Sequence, residues 1–138
     1  MAGFEIIDIS GDAGIKAYGN TLEEAFINSA MGMYSLITDL EGIHEKRAIV
    51  VAVESHSPEG LLVSWLNELI FHFDTYGFIG KSVRIGSLKN NRIDAVLSGE
   101  DFDLERHERR LLIKAATYHA VRIENISGQW EIDVIFDI

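Results

Sequence analysis

Asp8 and Asp12 stand four positions apart in Asp8-Ile9-Ser10-Gly11-Asp12-Ala13-Gly14, a polar break between two short apolar runs. Gly11 and Gly14 free this turn from ordinary backbone limits, so both carboxylates can point at one spot and hold a cation. Asp side chains also hydrogen-bond the backbone of turns, and that is the commoner use of such a pattern. The far end of the sequence bears on the choice. Asp137 precedes Ile138, whose terminal carboxylate adds a negative group to the strand-like run Gln129-Trp130-Glu131-Ile132-Asp133-Val134-Ile135-Phe136-Asp137-Ile138. If that run lies beside the N-terminal hairpin, three or four carboxyl groups converge, and they repel one another unless a cation or a basic partner neutralises them. Hard oxygen donors suit Ca2+ first, with Mg2+ or Mn2+ as substitutes, rather than zinc. The expected ligands are Asp12, Asp137 and the Ile138 carboxylate, and after them Asp8.

Other chemistry finds little support. The histidines at 44, 56, 72, 107 and 119 show no metal-binding spacing, and the absence of cysteine excludes thiolate metal sites and thiol nucleophiles. There is no Gly-x-Ser-x-Gly turn, and Gly11-Asp12-Ala13-Gly14 lacks the lysine and the further glycine of a phosphate cradle. No catalytic residue is therefore assigned, and the protein is expected not to be an enzyme. The main rival is metal-assisted hydrolysis by the same carboxylates. Twelve Lys plus Arg against 22 Asp plus Glu leave a formal charge of −10. That balance opposes broad contact with nucleic-acid phosphates and favours a basic protein as partner.

These groups need a frame to hold them. The 138 residues, 47% hydrophobic, suffice for one ordinary core and predict a single domain over 1–138. No apolar run is long enough to span a membrane, and Met1-Ala2-Gly3-Phe4-Glu5 lacks a basic, apolar leader. With no cysteine, these features predict a cytoplasmic location. Phe4 to Ile9 and Ile15 to Gly19 read as strands bracketing the acidic turn. Thr21-Leu22-Glu23-Glu24 is a capping box opening a helix to Leu36 or Ile37, whose apolar stripe is Leu22, Phe26, Ala30, Met33 and Ile37. The β-branched run Ala48 to Glu54 reads as a strand. Ser57-Pro58 opens a second helix, central because of its wide apolar face, with Ser64, Asn67, Glu68 and His72 on a polar side that reads first as solvated and second as a partner surface. Gly77 ends it.

Ile79 to Leu88 and Arg92 to Ser98 form a hairpin around Lys89-Asn90-Asn91. Residues 99–108 are densely charged. Asp101, Asp103 and Glu105 alternate as in a calcium loop, but its glycine and distal glutamate are missing, so the segment reads as a solvated loop. Arg110 to Tyr118 and His119 to Ile126 are strand-like, and Gly128 turns the chain into the last strand. Lys114, between Leu112-Ile113 and Ala115-Ala116, is held near the sheet or packs its stem with its head in water. The predicted class is α+β: a mostly antiparallel or mixed sheet of six or more strands against two amphipathic helices, in the order ββαβαββββ, two-layered or partly barrel-like.

The chain resembles the archease family from end to end. The segments that carry the likeness are Phe4-Glu5-Ile6-Ile7-Asp8, Gly11-Asp12-Ala13-Gly14-Ile15, Ala17-Tyr18-Gly19, Thr21-Leu22-Glu23-Glu24-Ala25-Phe26 and Leu62-Val63-Ser64-Trp65-Leu66-Asn67-Glu68-Leu69. They continue through Gly99-Glu100, Glu105-Arg106-His107-Glu108, Lys114-Ala115-Ala116-Thr117-Tyr118-His119 and Phe136-Asp137-Ile138. One departure is Ile9, where the family usually has histidine. The resemblance implies an accessory protein that activates the RtcB-type RNA-splicing ligase, promoting its guanylylation and turnover in tRNA splicing or RNA repair. It also implies a role for Lys114 in contacting the partner. A general chaperone or adaptor is a further alternative, and self-association is compatible with either.

Overall fold

The computed structural model describes residues 3–9 and 11–138, with Asp8 and Ile9 described by their backbone only. The N-terminal hairpin pairs β1 (Phe4–Ile9) with β2 (Asp12–Gly19), so the second strand begins at the acidic residue itself. Helix α1 (Leu22–Ile37) starts where Thr21 accepts the Glu24 N–H at 3.1 Å. A 3-10 turn, Leu40–Gly42, leads to β3 (Arg47–Glu54). Ser57 caps α2 (Pro58–Tyr76) by accepting the Gly60 N–H, and Gly77, at φ 70°, ends it in the left-handed conformation that favours glycine. Then β4 (Phe78–Lys89) and β5 (Arg92–Asp101) turn through Asn90 and Asn91, both at positive φ. The chain closes with β6 (Ala115–Ala116), β7 (Arg122–Ile126) and β8 (Gln129–Asp137).

The strands form two antiparallel sheets that do not close into a barrel. The larger has the order β1-β2-β8-β6, with β7 also on β8; the smaller runs β3-β5-β4. Both helices serve both sheets, α1 lying against β2 and β4 and α2 against β6 and β3. The core between them is filled by Phe26, Met33, Tyr34, Trp65, Leu66, Phe78 and Phe136, all fully buried. Trp65 ties the helices together by donating its indole N–H to the Phe26 carbonyl at 3.2 Å. Among the described residues no helix is long and apolar enough to cross a membrane.

The expected order is short by one strand, and the expected Arg110–Tyr118 strand shrinks to Ala115–Ala116. Its first half has other work. The N–H groups of Arg110 and Leu111 donate to the carbonyls of Ile37 and Leu36, both at 2.9 Å, and the Arg110 guanidinium reaches Ser35 O at 3.0 Å. These are orphan carbonyls of the last turn of α1, which has no glycine cap of its own, so a distant segment supplies the donors. Likewise the expected strand His119–Ile126 begins only at Arg122.

Candidate functional site

Register brings two of the predicted carboxylates, Asp12 and Asp137, together. In β1 against β2, Asp8 pairs with Ala13 and Ile9 with Asp12; in β2 against β8, Ala13 pairs with Phe136. One step further places Asp12 beside Asp137. Ala13 and Phe136 face the core, so by the two-residue alternation Asp12 and Asp137 project from the opposite, solvent side of the sheet, where both are exposed. The side chain of Asp8 lies outside the described residues. Ala115 pairs with Asp137, which sets Lys114 at the level of Ile138, and the Lys114 N–H donates to the Asp137 carbonyl at 2.8 Å. The Lys114 side chain is exposed rather than held in an apolar setting.

The rest of that face explains what is distinctive about its end. Lys16 meets Asp133 at 3.2 Å, and Arg122 from β7 reaches Asp133 at 2.7 Å, Glu124 at 3.0 Å and Glu131 at 3.2 Å. Burial alone would raise the Asp133 pKa, but the hydrogen bonds and charges of Arg122 and Lys16 hold it below the usual carboxylate range. Among the described residues no such cation pairs with Asp12 or Asp137. Asp12 and Ile138 also wall a mainly apolar hollow of about 400 Å3 lined by Ile6, Ile7, Ala13, Leu36 and Leu111. Among the described residues no three His, Asp or Glu side chains gather closely enough to hold a metal ion. Asp12 and Asp137 fit a hard cation in donor type, and a complete shell needs further oxygens such as a terminal carboxylate, water or a partner's ligand.

Two arrangements escaped the sequence reading. Asn67 lies on the side of α2 expected to be solvated, yet its Nδ2–H donates to Ala116 O at 3.2 Å and its Oδ1 accepts the Ala116 N–H at 2.8 Å. The side chain thus stands in for a neighbouring strand and fixes β6, which carries the backbone next to Lys114 and Asp137. Replacing Asn67 by Leu leaves both backbone groups without a partner and is expected to cost about 2 kcal/mol. Urea denaturation reads that loss, and amide exchange at Ala116 should speed up with it.

The second lies in residues 99–108, where the expected solvated loop holds for Asp103 to Arg106, which are exposed, but not for the residues on either side of them. Gly99 to Asp101 belong to β5, and Glu100 and His107 are only 2% and 5% exposed. Glu100 accepts the His44 N–H at 2.6 Å and is bonded by Arg106, and His107 Nε2 lies 3.2 Å from its carboxylate. Because His107 Nδ1 accepts the Asp103 N–H at 2.8 Å, the ring proton belongs on Nε2, facing Glu100. The only local sign was a set of opposite charges six and seven positions apart.

The frame is of the α+β class, two antiparallel sheets and two helices, and at one sheet end Asp12 and Asp137 lie side by side with no cation partner among the described residues. The model of the Archease protein family (MTH1598/TM1083) matches residues 4–138. The archease of Pyrobaculum islandicum is 37% identical over 133 residues, 94% of this chain and 90% of that one. The archease of Thermococcus gammatolerans is 34% identical over 142 residues and the whole of both chains. The solution structure of Methanobacterium thermoautotrophicum protein 1598 superposes with a TM-score of 0.83 at 34% identity, covering both chains completely. The crystal structure of a Thermotoga maritima archease, described as a possible chaperone, shares the fold at a TM-score of 0.66 and 20% identity over 96% of this chain and 94% of that one. The chain belongs to the archease family.

Proposed function

We propose that this protein activates an RNA-splicing ligase, promoting its guanylylation and multiple turnover in tRNA splicing or RNA repair. The observation that carries this reading is the register that sets Asp12 beside Asp137 on the solvent side, with no cation paired to either among the described residues. In this reading Asp12, Asp137 and the Ile138 carboxylate, with Asp8, hold a divalent cation, Ca2+ or in its place Mg2+ or Mn2+. The ion supplies positive charge at a surface that is otherwise acidic. Lys114, exposed and one strand away, makes a charge contact with the ligase. The formal charge of −10 supports contact with a basic protein rather than with RNA directly.

The test is single-turnover guanylylation and RNA joining by the cognate ligase, with and without this protein, in added divalent metal and in chelator. Acceleration is expected, and it should fall at least about tenfold for Asp12→Ala or Asp137→Ala, as is usual when a metal shell is damaged. Both side chains are exposed, so the variants should melt with the parent. Full activation by either variant would sink the reading. Suppressed aggregation of unrelated proteins, indifferent to chelator, would favour a chaperone instead.

A further inference from the structure

The smaller sheet has two edges of different character. The register of β4 against β5 shifts between Gly80 and Ser82 and between Ile85 and Ser87, and β4 carries Lys81 and Arg84; bulges and charges of this kind discourage pairing with another chain. The edge strand β3 has neither device. Its register with β5 is unbroken from Arg47 to Glu54, and between those charged ends Ala48-Ile49-Val50-Val51-Ala52-Val53 is wholly apolar.

The hydrogen bonds fix which backbone groups this edge offers. The Ser55 N–H donates to Asn91 O at 2.9 Å, in register with the β3–β5 ladder, and the Lys46 N–H reaches Gly99 O at 2.7 Å. Odd-numbered β5 residues therefore face β3, and odd-numbered β3 residues face back. The N–H and C=O groups of Ala48, Val50 and Ala52 accordingly point away from β5, to the open side. Val50 is also 77% exposed.

Next to this edge lies a hollow of about 600 Å3, walled by Val53 and Glu54 of β3, Asn67, Glu68 and Phe71 of α2, and Tyr118. Phe71 and Tyr118 are 49% and 62% exposed. The charges in its wall are both acidic and only loosely answered: Arg92 stands 3.9 Å from Glu54, and His72 stands 3.7 Å from Glu68. We propose that the β3 edge and this hollow receive an extended segment of another protein, carrying basic residues among apolar ones, as an added strand. The outward amides supply the ladder, Glu54 and Glu68 select the basic side chains, and Phe71 and Tyr118 cover the apolar ones. The β3 edge belongs to the smaller sheet and Asp12 and Asp137 to the larger, so the proposal stands independently of the proposed function.

The probe is a capped octapeptide of alternating lysine and valine, with a twin carrying glutamate in place of lysine, read by fluorescence anisotropy and amide exchange. The lysine peptide should bind at least about tenfold more tightly than its twin and slow exchange at Val50. Val50→Pro removes an outward N–H and leaves the β5 ladder whole, so it should keep the fold while cutting binding by a similar factor. The double variant Glu54→Lys with Glu68→Lys, both exposed enough to be tolerated, should reverse the preference between the peptides. Failure of the lysine peptide to bind, equal binding of the two peptides, or undiminished binding to Val50→Pro would overturn the proposal. So would a two-chain mass for the protein alone, lost in Val50→Pro, which would give the edge to a second copy.

Discussion

Glu100→Gln should lower stability by about 3 kcal/mol, the scale of breaking a buried ion pair from one side. The carboxylate is the common acceptor of the His44 N–H, His107 and Arg106, with Lys46 at 3.6 Å, and neither it nor His107 has water to fall back on. A neutral amide offers one acceptor where two oxygens served, and it turns an N–H2 toward donors. Arg106 is 42% exposed on its side chain and can retreat to solvent, which keeps the loss at the low end of the range. For a chain of this size the melting temperature should fall by about 10 °C.

The same variant carries a pH signature. Burial by itself raises the Glu100 pKa, but the His44 N–H, His107 and Arg106 outweigh it and bring the group down to about 2. A carboxyl group whose folded pKa lies below its unfolded value stabilises the fold above the unfolded value, 4.5, and loses that contribution as pH falls toward 2. The stability gap between parent and Glu100→Gln should therefore be constant above pH 5 and narrow below 4.5. A gap that stayed the same down to pH 2.5 in denaturant titrations would show that the hydrogen bonds, and not the charge, hold the loop.

The contrast between what could and could not be read beforehand follows the range of the interactions. Thr21, Ser57-Pro58 and Gly77 place helix ends correctly because a cap is settled within a few residues. The hairpin at Asn90 and Asn91 was legible for the same reason: two residues that tolerate positive φ stand between two apolar runs. The strand-like composition misled at Arg110–Leu112, where the backbone donors go to the end of α1 and leave Leu111 and Leu112 exposed. Charge density misled at 99–108, since composition cannot show that Arg106 and His107 fold back on Glu100. The adjacency of Asp12 and Asp137 sits between these cases. Each strand was visible, but their pairing joins the two ends of the chain and was only a condition until the β2–β8 register met it.

The close contact between β4 and β5 that precedes Glu100 yields the second large effect. Gly99 pairs with Gly80, and a Cβ on Gly99 would lie 1.9 Å from the Ile79 carbonyl oxygen and 2.8 Å from the Gly80 Cα. Both obstacles are backbone, so no rotamer change relieves them, and β4 would have to move away from β5. Gly99→Ala should thus cost about 3 kcal/mol, at the upper end of overpacking in a filled interior. If β5 gave way instead, Gly99 O, which holds the Lys46 N–H, would shift and disturb the nearby approach of His44 to Glu100. Gly86→Ala on β4 is the control, because its Cβ would meet only Asp94 O at an ordinary 3.6 Å. There the loss of unfolded-chain entropy should leave stability unchanged or raise it by about 0.5 kcal/mol. Equal costs at the two glycines in urea denaturation would mean that strand propensity, and not the β4–β5 contact, sets the requirement for glycine at 99.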